Sequence, residues 1–395
     1  MGPVFSLPNL EFPMTTSAEL IGRARELLPV IKSRAAATEA LRRPHDDNMR
    51  DLIDAGLIQM LIPRRWGGSE SDIQTMFEVV DIIAQGCVST AWIASFYIGH
   101  NLYAAKLHPT AQEEVLKARG FVMLPAATAP TMKTEKVEGG WRISGRAPWG
   151  SGIMHADWVM VSGLTPEKTP RSFVMPISSV SVEDVWHFTG MAGTGSNDII
   201  VDNVFVPDHM SLDGVDLRNG RTEGSSGYEN PMYSVPLVPM AYATIIPVLT
   251  GGLKGALSAF EEIVDRRVRN FSGTVVKDQQ HTHIVLGEMK VATQAVDILG
   301  RAQIARTEAL IQTGYTMEDR ISLKGSAGYL AHTGRKAVEN MMANAGSSNY
   351  HHDQPLQRFW RDLATVTSHA FWDWDICREQ VGRSHFGLPV NHPIV

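Results

Sequence analysis

Gly139-Gly140-Trp141-Arg142-Ile143-Ser144-Gly145-Arg146-Ala147-Pro148-Trp149-Gly150-Ser151-Gly152 is where the chain changes character. The paired glycines read as a hairpin turn, a geometry glycine adopts without steric cost. Trp141–Ser144, directly after them, is a short β-rich run. Similar runs are Phe121–Leu124, Trp158–Ser162, Ser172–Met175 and Ile199–Val206, punctuated by Gly, Pro, Asn and Asp. Together they predict an antiparallel β domain over 119–235. Its last part, 213–234, is rich in Gly, Ser, Asn and Glu and reads as a surface loop.

On either side the pattern is helical. Leu20, Ile21, Ala24, Leu27, Leu28 and Ile31 recur at helical spacing, with Pro29 expected to kink or break the segment. Further helices are expected around Met49, Leu52, Ile53 and Gly56, around Ile73, Met76, Phe77, Val80 and Ile83, and from Ser89 to Lys106. After the β region, four long segments (241–268, 282–314, 320–345 and 355–381) with short connections predict an antiparallel bundle. Helices, then strands, then helices argue an α+β, mainly α fold rather than a doubly wound sheet. The expected division is 1–118 helical, 119–235 β and 236–395 helical bundle. No repeat of fixed period is visible.

Composition narrows the function. The chain has 395 residues, 44% hydrophobic and 20% charged, which is ordinary globular usage. Its net charge of −6 argues against a nucleic-acid scaffold, since phosphate binding needs a basic excess or stripe. Two cysteines, Cys87 and Cys377, allow at most one bridge, so a reduced cytoplasmic setting is expected. Neither a signal peptide nor a membrane span is expected. Met1-Gly2-Pro3-Val4-Phe5-Ser6 formally matches a myristoylation pattern, a match read as chance because Pro3 is rigid. His351-His352-Asp353 and His281-Thr282-His283 lack further ligands at useful spacing, so no metal site is expected. Gly193-Thr194-Gly195-Ser196 precedes a strand, and Gly251-Gly252-Leu253-Lys254-Gly255 lies in an apolar helix. Neither is a dinucleotide fingerprint, which must follow a strand and open a helix.

Four stretches, in order, resemble the acyl-CoA dehydrogenase superfamily over roughly residues 20 to 390. Gly145–Gly152 followed by Ala156-Asp157-Trp158 is similar to the family's "G-K-x-W-I-T/S … A-D" strand. Gly190-Met191-Ala192-Gly193-Thr194-Gly195-Ser196-Asn197-Asp198, leading to Val204-Phe205-Val206-Pro207, is similar to "G-x-R-G-S/T … F-x-x-V-x-V-P". Arg269-Asn270-Phe271-Ser272-Gly273, then Gln280 and Leu286-Gly287-Glu288-Met289, resembles "R-x-x-F-G … Q … L-A-D-M". Pro355–Leu363 resembles "R-x-x-R-D-A". The resemblance implies an N-terminal helical domain, a middle antiparallel β domain and a C-terminal four-helix bundle. It implies a flavin site made by Trp149, Ser151, Gly152 and Thr194, with Arg269, Phe271 and Gln280 serving a neighbouring subunit's flavin.

The dehydrogenases abstract a proton with a Glu that lies after "R-D-A" in many members. Ala364-Thr365-Val366-Thr367-Ser368-His369-Ala370-Phe371 has no carboxylate, and His369 falls beside that position. An imidazole exchanges protons near neutral pH and suits a phenol. The "T-E-x-x-x-G-S-D" segment is replaced by Pro125-Ala126-Ala127-Thr128-Ala129-Pro130. Pro63-Arg64-Arg65-Trp66-Gly67-Gly68, Ser89-Thr90-Ala91-Trp92 and Gly387-Leu388-Pro389 resemble instead the oxygenase branch, the two-component (group D) flavin-dependent monooxygenases. That resemblance implies reduced FAD or FMN and O2, reacting through a flavin C4a-hydroperoxide to hydroxylate a small phenol or indole. It implies a separate NAD(P)H:flavin reductase and a homotetramer. Ser151 and His369 become the expected catalytic residues. Trp92 and His100, eight residues apart near one helix face, and Trp186 become substrate contacts. The plainer readings are a core Trp92, a solvent or loop-end His100 and an aromatic plug at Trp186. Alternative functions are N-oxygenation of an amine or amino sugar, an acyl-CoA dehydrogenase with a displaced base, and a catalytically silent scaffold.

Overall fold

The computed structural model describes residues 15–395, and the Met1–Ser6 pattern lies outside them. α1 (Ser17–Ser33) opens on a capping box in which the Glu19 amide donates to Thr16 Oγ1 at 3.2 Å. Pro29 does not break this helix. Leu20, Ala24 and Ile31 are buried on one face, and that packing carries the helix past the lost amide donor. α2 (Ala35–Leu41), α3 (Asp46–Asp54), α4 (Ile73–Ala84), α5 (Val88–Lys106) and α6 (Pro109–Leu116) follow. Along α5 every side chain is buried except Phe96, so this helix forms the centre of the N-terminal layer.

The middle of the chain builds one seven-stranded sheet from β1 (Ala126–Val137), β2 (Gly140–Ala147), β3 (Trp158–Leu164), β4 (Pro170–Pro176), β5 (Ser181–Glu183), β6 (Asp198–Pro207) and β7 (Ser211–Asp213). The strand order is β5-β6-β2-β1-β3-β4-β7. Gly139, at φ 73°, makes the expected β1–β2 hairpin. The sheet is not purely antiparallel, because β1 and β3 pair in parallel. Phe121–Leu124 is not a strand. Side chains satisfy its backbone instead: Asn101 Oδ1 accepts from the Val122 amide at 3.0 Å and Asp157 Oδ2 from the Met123 amide at 3.1 Å. The stretch 213–234 is not a simple surface loop either. It contains α7 (Gly214–Asn219), and buried Lys106 donates from Nζ to the carbonyls of Gly220 (2.8 Å) and Tyr233 (2.6 Å). A polar composition concealed a segment tied down by its own backbone carbonyls.

α8 (Leu237–Arg266), α9 (Gln280–Thr313), α10 (Met317–Ala345), α11 (Pro355–Val366) and α12 (Trp374–His385) complete the chain. α8 is long and apolar enough to cross a membrane, yet 78% of its most apolar window is buried inside the fold. Gly251 lets it approach α4, since a Cβ there would lie 2.1 Å from the Asp81 carbonyl oxygen. The expected last helix is two helices. Thr367 and Ser368 turn their hydroxyls back onto the Ala364 carbonyl, and Asp373 caps α12 at the Ile376 amide, 3.1 Å away. His369 therefore sits in the break, not on a helix.

Overpacking a well-filled contact costs about 1–3 kcal/mol. Gly251→Ala should lower stability by about that much or more in urea unfolding. Gly287→Ala, with open space around its Cβ, should hold or raise it.

Candidate active site

Trp92, Phe96 and His100 follow one another at i, i+4 and i+8 on α5, so their rings share a face. Trp92 and Phe96 centroids are 4.7 Å apart, Phe96 stacks on His100 at 5.1 Å, and His100 stacks on Tyr103 at 5.1 Å. Phe96 is the one partly exposed residue of this helix and lies in the middle of the stripe. His100 is buried and donates from Nδ1 to the Leu124 carbonyl at 2.7 Å. A carbonyl only accepts, so Nε2 of the neutral ring is bare. Burial pushes the His100 pKa down to about 4.

Two turns meet the N-terminal end of this stripe. In the first, between β2 and β3, Trp149 has a left-handed backbone (φ 60°) and leaves its side chain 62% exposed. Its amide donates to Asp198 Oδ1 at 3.1 Å. Ser151 follows, accepting from Trp92 Nε1 at 3.2 Å and sharing a 2.8 Å hydrogen bond with Ser196 Oγ. Gly152 (φ 88°) places its carbonyl on the Tyr97 hydroxyl, and a Cβ there would meet the Tyr97 ring at 3.1 Å. In the second turn Thr194 Oγ1 lies 2.7 Å from Ser196 Oγ and donates to the Met191 carbonyl at 2.8 Å.

α11 holds the second turn in place. Asp362 Oδ1 accepts from the Met191 amide at 2.5 Å, and Arg361 donates to the Thr189 carbonyl. Arg358 and Arg361 both pair with Glu39 of α2, not with Asp362. A Cβ on Gly190 would sit 2.0 Å from the Arg361 carbonyl oxygen, so only glycine fits. Beyond α11, His369 packs its ring edge-on against Trp92 (centroids 5.7 Å) and stacks on Phe371 at 5.4 Å. Its Nδ1 accepts from the Phe371 amide at 3.3 Å. Burial pushes its pKa down to about 4. The ring is then neutral at pH 7 with its proton on Nε2, a donor where His100 offers an acceptor.

Trp92 thus brings together Ser151, Thr194 (through Ser196), His100 and His369. Trp186 stands behind the second turn: it is buried, stacked on Phe188 at 3.9 Å, with its indole N–H on the Met191 carbonyl at 2.8 Å. Arg269, Phe271 and Gln280 are not part of the cluster. Arg269 and Phe271 lie in the turn between α8 and α9, closed by the Val268–Val275 bridge, with Phe271 fully exposed. Gln280 is the first residue of α9. Sequence reasoning missed Ser196, Glu39 and Asp362. Ser196 stands two residues after Thr194 in the Gly193–Ser196 string, and that spacing was the available signal.

Residues 243–374 match the family model described as acyl-CoA dehydrogenase, C-terminal domain. The chain is 36% identical to a pigment production hydroxylase of a Rhodococcus species, over 96% of this chain and 99% of the relative. It is 31% identical to the oxygenase subunit HsaA of a flavin-dependent monooxygenase from Rhodococcus jostii, over 94% and 100%. The chain belongs to the flavin-dependent monooxygenase oxygenase components. The structure of XiaF from a Streptomyces species, in complex with FADH2 and glycerol, superposes with a TM-score of 0.89 at 25% identity, over 96% of this chain and 98% of that one.

This oxygenase component has the acyl-CoA dehydrogenase fold and uses reduced flavin. Its residues fit a flavin: a large exposed indole at Trp149, a half-buried hydroxyl at Ser151 and a glycine at 152 form one turn.

The two depressed imidazoles link stability to pH. Unfolded histidines take up protons as pH falls below about 6.5, while the native rings resist until about pH 4. Stability should be complete above pH 6.5 and decline toward pH 4, by up to about 1.4 kcal/mol per pH unit for each ring. His100→Gln removes one titrating group and should flatten the curve of urea-derived stability between pH 6.5 and 4.5. An unchanged slope would contradict the assignment.

Proposed function

We propose that this oxygenase component hydroxylates a small aromatic substrate of the phenol or indole type. The observation that carries the reading is the meeting of Ser151, the Trp92–Phe96–His100 aromatic wall and a neutral His369 in one place. Reduced FAD or FMN, when bound, supplies the oxygen activation, through the C4a-hydroperoxide that the family resemblance implies. The cofactor carries that chemistry, and the chain orients the partners and excludes water.

Trp149 is proposed to cover the flavin and Ser151 to hold its N5 edge. His369 is the proposed catalytic donor. Its Nε2–H donates to the substrate oxygen and holds the ring in place. The proton on Nε2 favours this role over that of a base. His100, with a bare Nε2, accepts from a hydroxyl or indole N–H of the substrate. Trp186 acts through Met191, as a support of the turn. The buried free thiols of Cys87 and Cys377 are in keeping with a reduced, cytoplasmic setting.

We also infer a homotetramer. Ile284, Val291 and Ile298 are exposed on α9 at seven-residue spacing, beside exposed Val268 and Phe271. A repeating apolar stripe of this kind is a helix-pairing face. Arg269 and Phe271, in the turn before α9, and Gln280, its first residue, are proposed to reach a neighbouring subunit's flavin across it. Val291→Lys should shift the mass measured by light scattering below that of the tetramer.

Removing one oriented donor costs about 100-fold or more in rate. His369→Ala should lose about that much hydroxylation of a phenol panel while still consuming oxygen. Ser151→Ala should release more hydrogen peroxide per flavin oxidised. Wild-type hydroxylation by His369→Ala would remove His369 from the reaction.

A further inference from the structure

Trp92 Nε1 can only donate a hydrogen bond, and the Met191 carbonyl can only accept one. Between them stand three hydroxyls joined by four contacts. Trp92 Nε1 to Ser151 Oγ is 3.2 Å, Ser151 Oγ to Ser196 Oγ is 2.8 Å, Ser196 Oγ to Thr194 Oγ1 is 2.7 Å and Thr194 Oγ1 to the Met191 carbonyl is 2.8 Å. Four protons serve these four contacts: one on the indole and one on each hydroxyl. A single arrangement fills them all. Trp92 donates to Ser151, Ser151 to Ser196, Ser196 to Thr194, and Thr194 to Met191. Reversing any one hydroxyl sets two protons or two lone pairs against each other.

Both ends are fixed. Met191 has a left-handed backbone (φ 58°), its carbonyl also accepts from Trp186 Nε1 at 2.8 Å and its amide is held by Asp362. Trp92 sits on the buried helix α5. Ser196 and Thr194 are 2% and 1% exposed, so water does not compete for the inner hydroxyls. Ser151 alone of the three is half-buried rather than buried. Its proton is committed inward, and what it presents outward is a lone pair.

We propose that Ser196 and Thr194 are positioning residues that hold Ser151 Oγ as a hydrogen-bond acceptor, so that the site selects reduced over oxidised flavin. This rests on the proposed placement of flavin N5 against Ser151. N5 of a reduced flavin carries a hydrogen and donates it. N5 of an oxidised flavin carries only a lone pair, which would face the lone pair of Ser151. The chain thereby takes up the reduced cofactor from a reductase and releases the oxidised one, as an enzyme with a diffusible flavin requires. Thr194 acts two hydroxyls away from the flavin rather than on it.

The test is anaerobic titration of the apoprotein with FAD and FMN, in reduced and oxidised forms, with dissociation constants from flavin absorbance and fluorescence. Ser196→Ala frees the Ser151 proton to turn outward. Oxidised flavin should then bind about tenfold tighter while reduced flavin changes less than about threefold, the size of one neutral hydrogen bond. Thr194→Val reverses the Ser196 proton and should act in the same direction, so it serves as the second variant if Ser196→Ala does not fold. Ser196→Thr keeps the hydroxyl and should restore the wild-type ratio. A merely structural role would weaken both redox forms together, and that result, or no tightening of oxidised flavin, would overturn the proposal. Ser151→Ala separates the two levels. A wild-type ratio in that variant would show that N5 does not lie against Ser151, and the selection mechanism would fall with that placement.

Discussion

The indole N–H of Trp92 crosses from the buried helix α5 to the turn that follows β2, and it ends on Ser151. That contact, 3.2 Å long, and the Tyr97 hydroxyl on the Gly152 carbonyl together fix the distance between the central helix and the first turn of the site. The edge of the same indole meets His369 from the far end of the chain. Residues 92, 151 and 369 belong to three separate structural layers, and one side chain registers all of them. Because α5 is buried along nearly its whole length, Trp92 does not move independently of the core.

A second constraint makes the first useful. The turn at 190–196 carries two left-handed residues, Met191 and Gly195, and a glycine at 190 pressed against the α11 backbone. Such a turn holds only because its surroundings over-determine it. Asp362 takes its amide, Arg361 takes the preceding carbonyl, and Glu39 locks both arginines from α2. Burial raises the Asp362 pKa to about 7, so this support is itself closely balanced near neutrality. Arg361 and Asp362 of α11 therefore support the turn that carries the hydroxyl chain.

Much of this was legible in the chain. Helical periodicity and short β-rich runs separated the layers, and Gly139-Gly140 placed the hairpin. Trp92 and His100 shared a face by spacing alone. Three features were hidden for physical reasons. Phe121–Leu124 has strand composition, but its amides are taken by Asn101 and Asp157, contacts that depend on tertiary placement. The break at 367–373 is written in Thr, Ser and Asp side chains that compete with the helix backbone, a weaker signal than apolar periodicity. The tautomers of His100 and His369 are set by the Leu124 carbonyl and the Phe371 amide, and no sequence pattern reports them. Ser196 carried only a spacing signal, two residues after Thr194, and its link to Ser151 depends on the two turns meeting within one hydrogen bond.

The central claim is that this cluster shelters oxygen chemistry on a reduced flavin supplied from outside. The most direct measurement mixes the protein, loaded anaerobically with reduced flavin, with oxygenated buffer and records oxygen and flavin absorbance together. The account predicts that oxygen is consumed first and that oxidised flavin appears in a later, slower phase, shortened or redirected by a phenol. Oxidised flavin appearing in step with oxygen loss, at the rate of free reduced flavin in buffer, would contradict it.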